Sequence, residues 1–225
     1  NLSWDENIIR QYLQAVYNTI ILKDIIMRNS IRDVAMLQRI LSFLSENIGN
    51  ITTAKNISDY IKSQNISISP NTVQNYIAYA SSAFMFYQIK RFDLRGKRIL
   101  EFHDKYFLSD IGLYYAQFGH QVDSISARLE NVVMHEMLSR GYSVMIGKVG
   151  DNEVDFICEK NNNKVYIQVT LSLFSSNVVK REYRVFDTIN DHFPKYVLSL
   201  DKGFDTDKKG IEWMNIEDFL LSDKF

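Results

Sequence analysis

The 225-residue chain is 46% hydrophobic and 13% aromatic, with only 9 Gly and 2 Pro. That suffices for a packed core in one large domain or two small ones, and excludes collagen-like and low-complexity classes. The net charge of −1 lacks the strongly basic footprint of a dedicated nucleic-acid binder. The charge is unevenly divided, with 13 Lys and Arg against 10 Asp and Glu in residues 1–120 and 13 against 17 in residues 121–225, which suggests two modules.

The chain opens NLSWDENIIRQ, without Met or a signal-like apolar core, as a piece of a longer protein would. Residues 5–28 then space Ile8, Ile9, Leu13, Val16, Tyr17, Ile20, Ile21 and Ile25 as one helix. A second helix is expected from Arg32 to Asn47, with Leu37, Ile40, Leu41 and Leu44 on one face and Gly49 beyond its end. NITTAKNISDYIKSQN reads as a short helix capped by Thr52 or Thr53. ISISPNTVQNYIAYASSAFMF reads as another, with Ser69 as its cap and Pro70 at its first position. Two β-rich runs around DLRGKR form a hairpin, so helix, helix and hairpin follow in winged-helix order. SDIGLYYAQFG closes this first module as a short helix.

From Ile125 the rhythm changes. SARLENVVMHEMLSRG is helical, with Leu129, Val132, Val133 and Leu138 as its apolar face and Gly141 at its end. Three strands follow, YSVMIGKV, EVDFICEK and KVYIQVTLS, joined by the turn-prone GDN and NNN. SNVVKREYRVFDTIN is a helix, KYVLSLD a fourth strand and IEDFLL a terminal helix or turn. The order is α-β-β-β-α-β, so the fold class is α/β, α+β overall. No apolar run approaches the roughly 20 residues of a membrane span, and the single Cys158 suits a cytoplasmic protein.

The chemistry gathers in NEVDFICEKNNNKVYIQVT. Glu153 and Asp155 lie two apart on one strand and so share a face; Gln168 and Thr170 share a face on the next. Glu130 lies on the preceding helix. Mg²⁺ takes hard oxygen ligands, two or three from the protein, and activates water for phosphodiester attack. Glu130, Asp155 and Gln168 are the candidate ligands and catalytic groups. A nuclease site ordinarily carries an acid and a lysine where Gln168 and Thr170 stand. Lys180 or Arg181 on the next helix is the candidate replacement cation. The four histidines, His103, His120, His135 and His192, have no metal-ligand spacing to one another or to Cys158.

RLENVVMHEMLSRGYSVMIGK, EVDFICEKNNNKVYIQVT and FPKYVLSLD resemble the C-terminal region of a bacterial and archaeal ATPase family, and NTVQNYIAYASSAFMFYQIKRFDLRGK and KYFLSDIGL resemble its winged-helix part. The resemblance runs from about Asp5 to Leu221. It implies a winged-helix segment over residues 1–120 and a PD-(D/E)XK nuclease-like segment of restriction-endonuclease-like fold over 121–225. It also implies an AAA-type ATP-binding domain upstream. ATP would enter only through that domain, because these 225 residues contain no G-x-x-x-x-G-K-[ST].

Three functions follow. The chain is the non-ATPase region of such a protein, binding DNA or the ATPase domain, with a weakened or inactive nuclease-like site. Or it is an active Mg²⁺-dependent deoxyribonuclease. Or it is a protein-interaction or homo-oligomerisation module. For DNA, Asn71, Gln74 and Asn75 are the exposed recognition-helix positions, suited to adenine edges. Arg91, Arg95, Lys97 and Arg98, with Lys90, are the phosphate candidates on the wing.

Overall fold

The computed structural model describes residues 5–119, 121, 125–203 and 210–225. His120 lies outside them. The protein is mixed α/β, α+β overall, and its chain contacts divide it into two units.

The first unit comprises residues 1–88 and 105–122. Helix α1, Glu6–Thr19, starts where the Asp5 carboxylate accepts the Asn7 N–H. Instead of one uniform helix to residue 28, the chain widens into a π-helical stretch, Ile20–Met27. Thr19 Oγ1 bonds back to the Ala15 carbonyl at 2.7 Å just before the change, a contact that bends helices. The wider turn buries Ile21 and Ile25 together. Helix α2, Val34–Glu46, is capped by Asp33 and buries Leu37, Ile40, Leu41 and Leu44, the face expected. Strand β1 is only Ile51–Thr52.

Helix α3, Ala54–Ser63, takes Thr53 as its cap, and helix α4, Pro70–Ser82, takes Ser69, whose hydroxyl accepts the Thr72 N–H. Between the two helices Ser58 Oγ donates to the Ile68 carbonyl at 2.8 Å, fixing the link. The hairpin strands are β2, Phe86–Asp93, and β3, Arg98–Leu108. Helix α5, Ile111–Phe118, packs on α1, with Gln14 donating to the Ala116 carbonyl and Tyr17 to Gln117.

The second unit takes residues 123–225 and also 89–104, the outer part of the hairpin. The expected boundary at 120/121 would have left that hairpin with the first. The reason is pairing: Arg91, Phe92 and Asp93 of β2 run parallel to Ile146, Gly147 and Lys148 of β4, Ser143–Val149. Strands β5, Asn152–Lys160, and β6, Asn163–Val169, continue antiparallel. Asn161 and Asn162 between them both have positive φ, 51° and 65°, the requirement of a tight primed turn. Strand β7, Lys195–Ser199, and an edge strand not foreseen, β8, Ile211–Asn215, are parallel.

Helices α6, Ile125–Ser139, α7, Ser176–Arg184, and α8, Ile216–Leu221, complete the unit. Its order α6-β4-β5-β6-α7-β7 is the α-β-β-β-α-β read from the sequence. The face of α6 needs correction: it buries Asn131, Val133, Met134 and Met137, while Leu129, Val132 and Leu138 are half-buried. Val154 through Cys158 are all buried, so the middle of β5 is covered on both faces. Val149, Val154, Ile157, Tyr166, Val185 and Val197 form its central cluster. No helix among the described residues is long and apolar enough to cross a membrane.

Candidate functional site

The β5–β6 ladder ends at the pair Phe156–Ile167. On its other side β5 carries an irregularity: Met145 faces Ile157, but Gly147 faces Val154, so Asp155 and Phe156 together oppose Ile146. Such a bulge re-aims the side chain it carries. Past the last ladder pair, side chains replace backbone pairing. The Val169 N–H donates to Asp155 Oδ2 at 2.8 Å, and the Asp155 N–H donates to Gln168 Oε1 at 3.2 Å. Asp155 and Gln168 thus bridge two splaying strands.

The other end of the Gln168 amide reaches α7. Its Nε2 donates to Glu182 Oε2 at 2.9 Å. Glu182 is buried to 4% exposure, and its second oxygen accepts Arg181 Nε and Nη2 at 2.8 and 2.5 Å. A buried carboxylate needs such partners. Arg181 itself stays largely in solvent, its guanidinium covering the buried acid from outside.

A cavity of about 390 Å³ opens on this cluster, lined by Glu130, Glu153, Asp155, Gln168, Thr170, Arg181 and Glu182. The structure therefore brings Glu130, Asp155 and Gln168 around one space. Lys180 is exposed and outside this lining; Arg181, the other candidate, is the cation that faces it. Glu182 went unread in the sequence, since an acid in VVKREYRV has the look of a solvated helix face. The signal lay in Gln168, a polar residue in an apolar strand that had to find a partner.

Several of the candidate donors already hold partners within the protein. Gln168 Oε1 is engaged by a backbone N–H, one Asp155 oxygen by another, and Glu182 by Gln168 and Arg181. Among the described residues no three of His, Cys, Asp or Glu come together as a metal-holding group. Cys158 is buried in β5, where desolvation pushes its thiol well above the ordinary range, so it stays a protonated core residue.

The cations of the β2–β3 hairpin separate into two pairs and a remainder. Lys90 bonds the buried Asp104 at 2.9 Å, and Arg91 lies 3.3 Å from Glu153, both ends mostly buried. Arg98 is exposed at the start of β3, and Arg95 and Lys97 are exposed in the turn. There Asp93 accepts the Arg95 N–H, and backbone N–H groups of Gly96 and Arg95 hold its carboxyl below the usual range. On α4 of the first unit, Asn71, Gln74 and Asn75 are exposed, and the helix carries no Lys or Arg.

The chain is 32% identical over 217 residues to an uncharacterized protein of Haemophilus influenzae, covering 96% of itself and 54% of that relative. It is 27% identical over 187 residues to uncharacterized protein MJ1544 of Methanocaldococcus jannaschii, covering 81% and 41%. The chain spans about half the length of the curated relatives it matches. No solved structure matches it significantly. A family model described as a domain of unknown function, DUF8612, matches residues 1–124. Since that match covers more than half of its residues, the chain belongs to the DUF8612 family.

Proposed function

We propose that this chain is a partner-docking region of a longer AAA-type ATPase, and that its nuclease-like unit is a scaffold without nuclease activity. The observation that carries this is the mutual engagement of Asp155, Gln168 and Glu182. Each holds a hydrogen bond that closes the sheet or anchors α7. A PD-(D/E)XK-like ancestry accounts for the element order and for the acids around the cavity. The replacement of the third acid and the lysine by Gln168 and Thr170 accounts for the loss of metal chemistry. A missing transition-state cation alone costs on the order of 10²–10³ in rate.

Docking is favoured over DNA binding because α4 has no cation, and Lys90 and Arg91 on the wing are already paired. The length of the relatives supports a larger protein as the natural setting.

The test incubates the protein at high concentration with Mg²⁺ or Mn²⁺ and plasmid or branched DNA. No cleavage is expected. Asp155→Asn is expected to lower unfolding free energy by about 1–3 kcal/mol, the range for a hydrogen bond to a charged group. Metal-dependent cleavage that Asp155→Asn abolishes would overturn the reading in favour of a deoxyribonuclease.

A further inference from the structure

The second unit holds another cavity, of about 490 Å³, that shares no lining residue with the Asp155 cluster. Its floor is apolar: Phe92, Leu94, Val149 and Ile189, at the rim of the core cluster. Its far wall is a closed polar set. Tyr166 donates its hydroxyl to Asp191 Oδ2 at 2.5 Å, and Lys195 Nζ lies 3.2 Å from Asp191 Oδ1, so the acid's charge is already matched. Lys164 contributes its stem, since its ammonium bonds Glu159 at 2.8 Å.

The lip is different. Arg95 and Lys97 make no ion pair among the described residues, and both line the opening. Arg95 is placed by close approach to Gly150, where φ is +61° and an added Cβ would fall 3.3 Å from the guanidinium carbon. Lys97 is held at a φ of 49°, uncommon for a residue other than Gly, Asn or Asp. The hairpin thus places two unmatched positive charges over an apolar floor.

That combination selects a ligand with two parts, an anionic head and a flat, weakly polar body. The volume lies in the range of small-molecule sites and exceeds what an inorganic anion fills. We infer that this cavity binds a phosphorylated nucleoside, its phosphate at Arg95 and Lys97 and its base over Phe92, Leu94, Val149 and Ile189. Two of the wing cations read as DNA contacts would then serve a small-molecule site.

Calorimetric titration of the intact chain with AMP, adenosine and inorganic phosphate tests this, with a single-stranded oligonucleotide as a fourth ligand. AMP should bind at least tenfold more tightly than adenosine or phosphate. Arg95→Ala with Lys97→Ala should weaken AMP binding at least tenfold without moving the melting temperature of the free protein, because both side chains are exposed. Absence of binding by AMP, ADP, GMP and CMP at millimolar concentration would overturn the inference. So would equal binding of phosphate and AMP, which leaves the floor without a role. Binding of the oligonucleotide alone would reassign the two cations to a nucleic-acid surface. None of these outcomes depends on whether the Asp155 cavity cleaves DNA.

Discussion

Tyr17 sits on α1 with its hydroxyl 3.1 Å from Gln117 Oε1, and Gln117 in turn donates to Ser45 and to the Leu113 carbonyl. Burial pushes its phenol from the ordinary 10.0 up to about 12. Folding therefore favours the neutral side chain. The associated stability is fully present below pH 10 and is lost as pH rises through about 12, while the unfolded chain ionises first. Two pH units correspond to roughly 2–3 kcal/mol. Urea unfolding at pH 9 and pH 11.5 should show the wild type losing more stability than Tyr17→Phe, which has no proton to release. Parallel losses in the two proteins would show that this phenol does not govern alkaline unfolding. Gln168 is the same kind of residue in the second unit, a half-buried polar group whose partners, Asp155 and Glu182, come from two other elements.

Elements whose signals are local were legible. Ser69 and Pro70 set the start of α4 with their own chemistry, and three consecutive Asn residues set the β5–β6 turn. Strand parity put Gln168 and Thr170 beside Asp155 around one cavity. Features set by packing were hidden. The buried face of α6 follows Met134 and Met137, flexible side chains that fill space where periodicity alone favoured Leu129 and Val132. Glu182 depends on the register of α7 against β6, which no stretch of either element encodes by itself. The paired state of Arg91 depends on β2 lying beside β4, and Glu153 on the strand beyond it. That pairing has a measurable consequence for DNA. Each neutralised phosphate contributes a slope of about −0.9 in log affinity against log salt. With α4 cation-free, only Arg95, Lys97 and Arg98 remain of the candidates. Fluorescence anisotropy on duplex DNA between about 50 and 300 mM salt should give weak binding and a slope no steeper than about −3. A slope beyond about −5 would require more phosphate contacts than the exposed hairpin provides and would return the helix and wing to DNA recognition.

At the scale of the molecule, sequence order and contact order part company at the hairpin. Residues 89–104 are strung between two segments of the first unit, yet their contacts belong to the second. They give β4 its parallel neighbour, Glu153 its ion-pair partner, and the core cluster the apolar side chains Phe92 and Leu94. The Leu94 N–H also bonds the Lys148 carbonyl at 2.9 Å, extending the pairing past the end of β2. A fragment of residues 121–225 would keep every helix of the second unit but expose β4 as an unprotected edge next to a half-open core. Exposed edges and apolar surface of that kind promote association. The fragment is therefore expected to aggregate, or to unfold at a lower denaturant concentration than the second unit does within the intact chain. Hydrogen exchange should report the same dependence locally. In the intact chain the Lys148 amide, on the side of β4 that faces the hairpin, should be protected, and in the fragment it should exchange at a rate approaching that of an open strand, while the β4 amides that face β5 keep their protection. A soluble 121–225 fragment with undiminished stability and a protected Lys148 amide would show that the hairpin is an appendage, and that the second unit is complete without it.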